Sequence, residues 1–434
     1  VQEKKMRKAI AMVFAGGRGE DLSVLTERRP KSAVIFGGIY RCIDFALTNL
    51  ARAGIGQVGI LAQYRPASLM DHVGTGMAWD LVGASRGVRF LPPYLKLSVS
   101  EWYRGPADAL YQNLDFVERA DASDVLVVSA DHVYSMDYGP LLNFHHERDA
   151  DLTMVFAPRD ADASRFGIGE LNATGQIINF MEKPEFPRTD LASMSVYLFK
   201  KEVLVEELRR AVSGEDQTVT FQIHEVLRRM ISRRRAYGFI FRGTWSYSRT
   251  LDEYYAFHQE VLGATPAVDI AAWDVQSNLM AGRASPSPPA RCLPGACIVN
   301  SLVSAGCVIE GTVENSVLSP GVRVGPRAAV KGSVLWDDVV VEADAQVSAA
   351  IADKRVVFSH GCQVGVGESV ASEERPASLS GGATVLAMNV RLPAGARVGK
   401  NCLIHVEATE NDIGMQVPSG KSVWPAATAK PVRP

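Results

Sequence analysis

Residues Val303–Ile351 read VSAGCVIEGTVENSVLSPGVRVGPRAAVKGSVLWDDVVVEADAQVSAAI. Small or branched apolar residues recur every six positions, at Val322, Ala328, Val334 and Val340, and Val324 and Val330 form a second row. Glycine and polar residues fill the intervals. A period of six marks a parallel β-helix, in which each strand and its turn form one side of a triangular coil and stacked apolar rows fill the interior. The strands of a β-sandwich recur at about 8–12 residues, so the spacing selects the β-helix. The four residues of the first row are expected to point inward.

Upstream, AGRASPSPPARCLPG is rich in proline, serine and glycine, has no regular period and reads as a linker. Earlier still, short apolar runs alternate with helical patterns, the βα signature of a mostly parallel sheet buried on both faces. Expected strands are Ala9–Phe14, Gln57–Leu61, Val125–Val128, Leu152–Phe156, Val196–Phe199 and Tyr237–Phe241. Expected helices are Ala46–Ala53, Leu110–Glu118 and Leu251–Leu262, the last starting near Thr250. The organisation is therefore an α/β domain over residues 1–265, a linker over 266–291 and a β-helix over 292–434.

The chain has 434 residues, 47% of them hydrophobic, and a net charge of −2. That provides a sizeable core, no basic footprint for nucleic acid and no polybasic membrane anchor. No apolar run approaches the roughly 20 residues of a membrane span. The opening VQEKKMRKAIAMVFAGG reads as a buried first strand, not a secretion signal, because its apolar run leads straight into glycines. The six cysteines have no metal-type spacing and read as free thiols of a reducing cytosol.

Three groups carry chemistry. Ala15–Gly19, AGGRG, follows a strand, so backbone N–H groups could approach a phosphate or a base, though a tight structural turn explains such a loop equally well. VLVVSADHVY ends a buried strand in Asp131-His132, where ligands of open α/β sheets bind; Asp131 is a candidate Mg²⁺ ligand or a helix cap. FMEKP sets Glu182 and Lys183 after a strand, a pair suited to a sugar hydroxyl and a phosphate.

Together with RRPKSAVIFGGIYRCIDFALTN, AQY, GPADALYQN, SRFGIGE, ASMSVYLF and DDVVVEADAQVSAAIADKRV, these blocks resemble the ADP-glucose pyrophosphorylase (glucose-1-phosphate adenylyltransferase) family over nearly the whole length. The resemblance implies a Rossmann-like nucleotidyltransferase domain, a left-handed parallel β-helix, a cytoplasmic tetramer, and synthesis of ADP-glucose and pyrophosphate from ATP and glucose 1-phosphate for glycogen. It implies Mg²⁺ on Asp131; Gly16, Gly17, Gly19, Gln63, Gly105 and Asp108 around the nucleotide; Arg18 and Lys31 on phosphates; and Glu182, Lys183 and Ser193 on the sugar phosphate. Arg28, with Arg29 and Arg41, is implied for anionic effectors.

The chain departs from the family pattern on the triphosphate side. The loop usually continues Gly-Thr-Arg-Leu; here it is Gly19-Glu20-Asp21-Leu22. The second metal Asp is Tyr247 and a nearby Gly is Arg249, while Asp252 lies on the following helix and is not counted as a replacement. A usual Asp-Phe-Gly-Lys-Asp keeps only Phe221, Pro106 replaces a Thr, and Ser195 replaces a Gly. A phenol is neutral at pH 7 and a poor Mg²⁺ ligand, so weakened metal binding is expected. Two readings follow. One is an adenylyltransferase; the other is a catalytically impaired regulatory subunit that assembles with an active paralogue as a heterotetramer.

Overall fold

A computed structural model describes residues 8–93, 102–159, 163–213, 220–282 and 285–426; residues 283 and 284 of the proline-rich linker lie outside them. The chain forms two compact units. One runs to Gly17 and resumes over Cys42–Ser246; the other joins Arg18–Arg41 to the chain from Tyr247 onward.

In the first unit the elements that position the site are β1 (Ala9–Phe14), α1 (Cys42–Arg52), β2 (Gln57–Leu61), β3 (Gly87–Leu91), α2 (Pro106–Gln112), α3 (Leu114–Arg119), β4 (Asp124–Ser129), β5 (Val133–Tyr134), β6 (Leu152–Pro158), β7 (Gly167–Leu171), β8 (Ile177–Glu182), β9 (Leu191–Lys200), α4 (Lys201–Ser213), α5 (Ile223–Arg233), β10 (Ala236–Ile240) and β11 (Trp245–Ser246). The main sheet runs β8-β7-β9-β4-β1-β2-β3, with β6 on β9 and β10 on β6. β4, β1, β2 and β3 are mutually parallel. Ala11, Met12 and Val13 of β1 and Val125–Val128 of β4 are wholly buried, which explains their continuous apolar runs.

Three details differ from the sequence reading. β9, expected within a parallel sheet, runs antiparallel to β4, β6 and β7. The helix expected over Leu110–Glu118 is two helices broken at Asn113, whose side-chain amide donates to the Ala109 carbonyl and the Tyr103 hydroxyl. Such local side-chain bonds compete with continued helix. The helix expected at Ala46 begins at Cys42.

In the second unit, three parallel sheets, of six, seven and seven strands among the described residues, form the left-handed β-helix. Helix α6 (Leu251–Gln259) starts at Thr250, whose hydroxyl accepts from the Glu253 N–H while the Glu253 carboxylate accepts from the Thr250 N–H, a capping box. It is three residues shorter than expected. All six cysteines are free thiols. No helix among the described residues is long and apolar enough to cross a membrane.

Val322, Ala328 and Val334 are buried as expected, as are Val324 and Val330. Val340 is not; Val339 and Val341 take the inner places. The reason is register. Arg323 pairs with Val340 and Val340 with Val357, so these two coils are each seventeen residues long, one short of three hexapeptides. Counting by six slips one residue per coil and so lands on the opposite face of the strand. Val341→Ala is expected to cost about 2 kcal/mol, and Val340→Ala well under about 1 kcal/mol. Denaturant midpoints of the two variants check this, and equal losses would contradict the register.

Candidate active site

The first-unit residues implied for a nucleotide stand at the ends of β1 and β2 and at the start of α2. Ala15 N–H donates to the Leu61 carbonyl, which closes the turn after β1 and brings Gly16 against Gln63. The Gln63 Oε1 accepts the Tyr103 N–H at 2.9 Å, and the Tyr103 hydroxyl donates to the Leu91 carbonyl. Gly105 has no room for a side chain: a Cβ there would stand 2.3 Å from the Phe221 carbonyl oxygen. That oxygen accepts the Ala107 N–H, and the Phe221 ring carries the Arg104 guanidinium at 3.7 Å. Asp108 is 1% exposed. Its carboxylate accepts from the Arg104 N–H and the Gln112 amide, so it holds this loop from beneath.

Asp131 follows β4 at its carboxyl end, with its side chain 21% exposed. The Ser129 hydroxyl donates to the Asp131 carboxylate. His132 is buried, with Nε2 3.7 Å from that carboxylate and Nδ1 3.0 Å from the Trp245 indole nitrogen. Indole N–H can only donate, so Nδ1 accepts and, in the neutral ring, the proton sits on Nε2, facing Asp131. β11 reaches this place by pairing antiparallel with β5. From sequence His132 was named only as part of the Asp131-His132 pair, without a role, and Trp245 was not named; a Trp shortly before the Tyr247 substitution was the available signal.

Of the residues implied for the sugar phosphate, Glu182 ends β8 and is exposed, as is Lys183, whose φ is +46°. The Lys183 N–H donates to the Phe166 carbonyl. Ser193 is buried in β9, with its hydroxyl 3.4 Å from that of Tyr197. The register of β9 shifts between Ser193 and Tyr197. Ser195, inside that shift, has φ +55°, a conformation that favours glycine and accounts for the Gly of the family pattern. Burial, and more weakly the Glu182 charge, raise the Tyr197 pKa above that of an ordinary phenol, so its hydroxyl is protonated near neutrality.

The remaining loop residues belong to the second unit. Arg18 pairs with Glu20 at 3.1 Å, both largely exposed, so the added anion lies against the loop's own cation. Asp21 is exposed in the first turn of a 3-10 helix over Glu20–Thr26, and its carbonyl accepts from the Ser378 hydroxyl. Lys31 is 5% exposed, and its ammonium lies 3.4 Å from the centroid of the Tyr247 ring. Gly19, at φ +65°, abuts the Lys31 stem, where a Cβ would come within 2.7 Å. Both Asp252 oxygens accept N–H groups, from Ser380 and Gly381, at 2.8 and 3.0 Å, which commits that carboxylate to the β-helix unit.

The three arginines implied for effectors stand in different surroundings. Arg28 is exposed and paired with Glu407. Arg41 donates to the Ala33 carbonyl at 3.2 Å. Arg29 is 2% exposed and forms a two-pronged pair with Asp353 at 2.7 and 3.0 Å, which places it in the interior and not on a surface open to an anion.

Beside Arg28, Glu27 meets His405, a residue with no sequence signal of its own. The His405 ring nitrogens stand 2.9 Å from Glu27 and 2.9 Å from Glu374, and the ring stacks on Trp424 at 3.3 Å. Burial pushes the imidazole pKa down, but the two carboxylates outweigh it and hold the value above the ordinary one. A raised folded pKa stabilises fully below the unfolded value near ~6.5 and is lost as pH rises through the folded value. His405→Asn is therefore expected to destabilise most at about pH 6 and progressively less above it. Denaturation series of both proteins from pH 6 to 9 check this; a gap that widens with pH would contradict it.

The nucleotidyl transferase family model matches residues 10–263, and the model of the GlmU-like C-terminal hexapeptide matches residues 288–386. The chain is 40% identical over 430 residues to the glucose-1-phosphate adenylyltransferase of Thermomicrobium roseum, covering 98% of this chain and 99% of the relative. It is 35% identical over 423 residues to that of Acetivibrio thermocellus (96% and 98%) and 38% identical over 412 residues to that of Thermotoga maritima (94% and 96%).

Proposed function

The chain belongs to the glucose-1-phosphate adenylyltransferase family, and on that footing we propose that it makes ADP-glucose and pyrophosphate from ATP and glucose 1-phosphate. The observation that carries the reading is Asp131, a partly exposed carboxylate at the carboxyl end of a central parallel strand, oriented by Ser129. The reaction is a displacement. A phosphate oxygen of the sugar phosphate bonds to the α-phosphorus of ATP, the bond from that phosphorus to the bridging oxygen breaks, and pyrophosphate leaves with the electron pair. Both reactants are anions, so the barrier is largely electrostatic.

The residues fit a hard divalent cation at one carboxylate. Asp131 would hold Mg²⁺, whereas Tyr247 offers a phenol and Asp252 is already occupied by Ser380 and Gly381. When bound, the ion would offset phosphate charge. Glu182, Lys183 and Ser193 would hold glucose 1-phosphate; the Gly16–Gly17 turn, Gln63 and the Gly105 loop would hold the nucleotide; Lys31 and Arg18 would face its phosphates. We place the protein in the cytoplasm as a tetramer responsive to an anionic metabolite, with Arg28 the better exposed of the arginine pair 28–29.

The test is pyrophosphate release by the purified chain with MgATP and glucose 1-phosphate. Release that requires both substrates supports the reading. No release from the chain alone, with release on adding a catalytic paralogue, would instead establish the regulatory-subunit reading.

A further inference from the structure

Two side chains meet one oxygen of the Asp131 carboxylate. The Ser129 hydroxyl donates to Oδ1, and His132 Nε2 lies 3.7 Å from the same atom. His132 is buried, and Trp245 sets its ring: the indole N–H donates to Nδ1 at 3.0 Å, with the two ring centroids 5.7 Å apart. We propose that His132 is a positioning residue for Asp131: Trp245 locks its imidazole with the proton on Nε2, and together with Ser129 it fixes the carboxylate in the orientation that takes a divalent cation. The inference rests on the adenylyltransferase reading, in which Asp131 holds Mg²⁺.

The local fold builds this arrangement within the first unit. The chain leaves β4 at Ser129, and the Ala130 N–H donates to the Phe14 carbonyl at 2.9 Å, which ties the next turn to β1. Trp245 reaches His132 because β11 pairs with β5, Trp245 opposite Tyr134 and Ser246 opposite Val133. The last torsion of an aspartate is broad and roughly two-fold, so a fixed backbone does not by itself fix the carboxylate. Mg²⁺ demands near-ideal octahedral geometry, and stopping a free rotor at the moment of binding costs entropy. The Ser129 bond, with an ionised acceptor, stops that rotation beforehand. At 3.7 Å the His132 contact is longer than a hydrogen bond. Its part is the sign of what it presents. With the proton on Nδ1, Nε2 would turn a lone pair toward Oδ1 and push the carboxylate away. With the proton on Nε2, the positive end of an N–H dipole faces Oδ1. An indole N–H can only donate, so Trp245 selects the second form.

The tautomer is read from the metal-free protein carrying ¹⁵N-labelled histidine. His132 Nδ1 should resonate as an unprotonated nitrogen and Nε2 as an N–H; the reverse overturns the proposal. Trp245→Phe keeps an aromatic ring but removes the donor, and should mix the two forms. An unchanged tautomer in that variant overturns the locking role.

Mn²⁺ shares the octahedral oxygen preference of Mg²⁺, and its binding, read from the electron paramagnetic resonance of the free ion, measures the consequence. Ser129→Ala and His132→Asn are expected to weaken Mn²⁺ about tenfold, the scale for partners of a metal ligand. Ser129→Thr keeps a hydroxyl and His132→Gln keeps an N–H near the Nε2 position, so both should stay within about threefold of wild type. In turnover, the Mg²⁺ concentration for half-maximal rate should rise about tenfold in the Ala and Asn variants, with kcat at saturating Mg²⁺ within about threefold. General loosening of the fold would not give that split or those rescues. Ser129→Ala or His132→Asn at wild-type affinity, or binding Mn²⁺ more tightly, overturns the proposal, as does a wild type that binds Mn²⁺ no better than Asp131→Asn. A wild type without turnover sinks the adenylyltransferase reading separately, since the resonance and Mn²⁺ measurements need no turnover. Should His132→Asn fail to fold by circular dichroism, Trp245→Phe takes its place with Mn²⁺ weakened about threefold, and wild-type affinity there overturns the proposal.

Discussion

Asp131→Asn is expected to lower kcat for pyrophosphate release by about two to three orders of magnitude, while thermal stability stays near that of wild type. The substitution is nearly isosteric. The amide can still accept from the Ser129 hydroxyl through its remaining oxygen, so the local geometry of the β4 end is retained. What is lost is the formal charge. The side chain is partly exposed; the Ser129 hydroxyl donates to it, and His132 Nε2 lies 3.7 Å away. The carboxyl end of a central parallel strand is where ligands of open α/β sheets bind, and a carboxylate there is a hard-oxygen ligand of the kind Mg²⁺ takes. Each decade in rate corresponds to about 1.4 kcal/mol, so two to three decades ask for roughly the contribution of one well-placed electrostatic group. An Asn variant retaining more than about a tenth of wild-type kcat would show that Asp131 does not hold the catalytic metal. A variant that loses stability along with rate would point to a structural carboxylate instead.

Asp131 could be named from its own stretch of sequence, whereas Lys31 was named chiefly through the family resemblance, and the difference is a matter of range. Asp131 ends a continuous apolar run, VLVVSA, and a carboxylate at that point is conspicuous in the run itself. The same locality made β1 and β2 readable to their observed ends and placed Thr250 at the start of α6. Lys31, by contrast, looks like any surface lysine until Tyr247, far downstream, is brought under it. The packing of residues 18–41 with the chain beyond Tyr247 has no local mark either. The antiparallel sense of β9 was hidden because a strand buried on both faces shows the same apolar run in either direction. Val340 was misplaced for a different reason: six is the period of one side, but the coil closes after seventeen residues.

The same nonlocality bears on Arg29, and it leads to the largest expected effect on stability. Asp353→Ala should destabilise the protein by about 3–5 kcal/mol, the cost of leaving a buried charge without its partner. The two side chains are 2% and 1% exposed and meet through two parallel hydrogen bonds of 2.7 and 3.0 Å. Arg29 also donates to the Leu25 carbonyl at 2.9 Å and lies 5.0 Å from the Trp336 ring centroid, so its guanidinium is fixed on several sides. Truncating Asp353 removes the carboxylate from these contacts and leaves the guanidinium buried. Replacing both charges with apolar groups of similar size, as in Arg29→Met with Asp353→Leu, should recover most of the loss, because desolvation of the pair offsets much of its attraction. The two effects are therefore far from additive. Denaturant midpoints of the two single variants and the double variant measure this. A single-variant loss below about 1 kcal/mol would mean that the guanidinium reaches solvent readily, and Arg29 would then return as a candidate for anionic effectors alongside Arg28. A large single loss with recovery in the double variant fixes Arg29 as a structural cation.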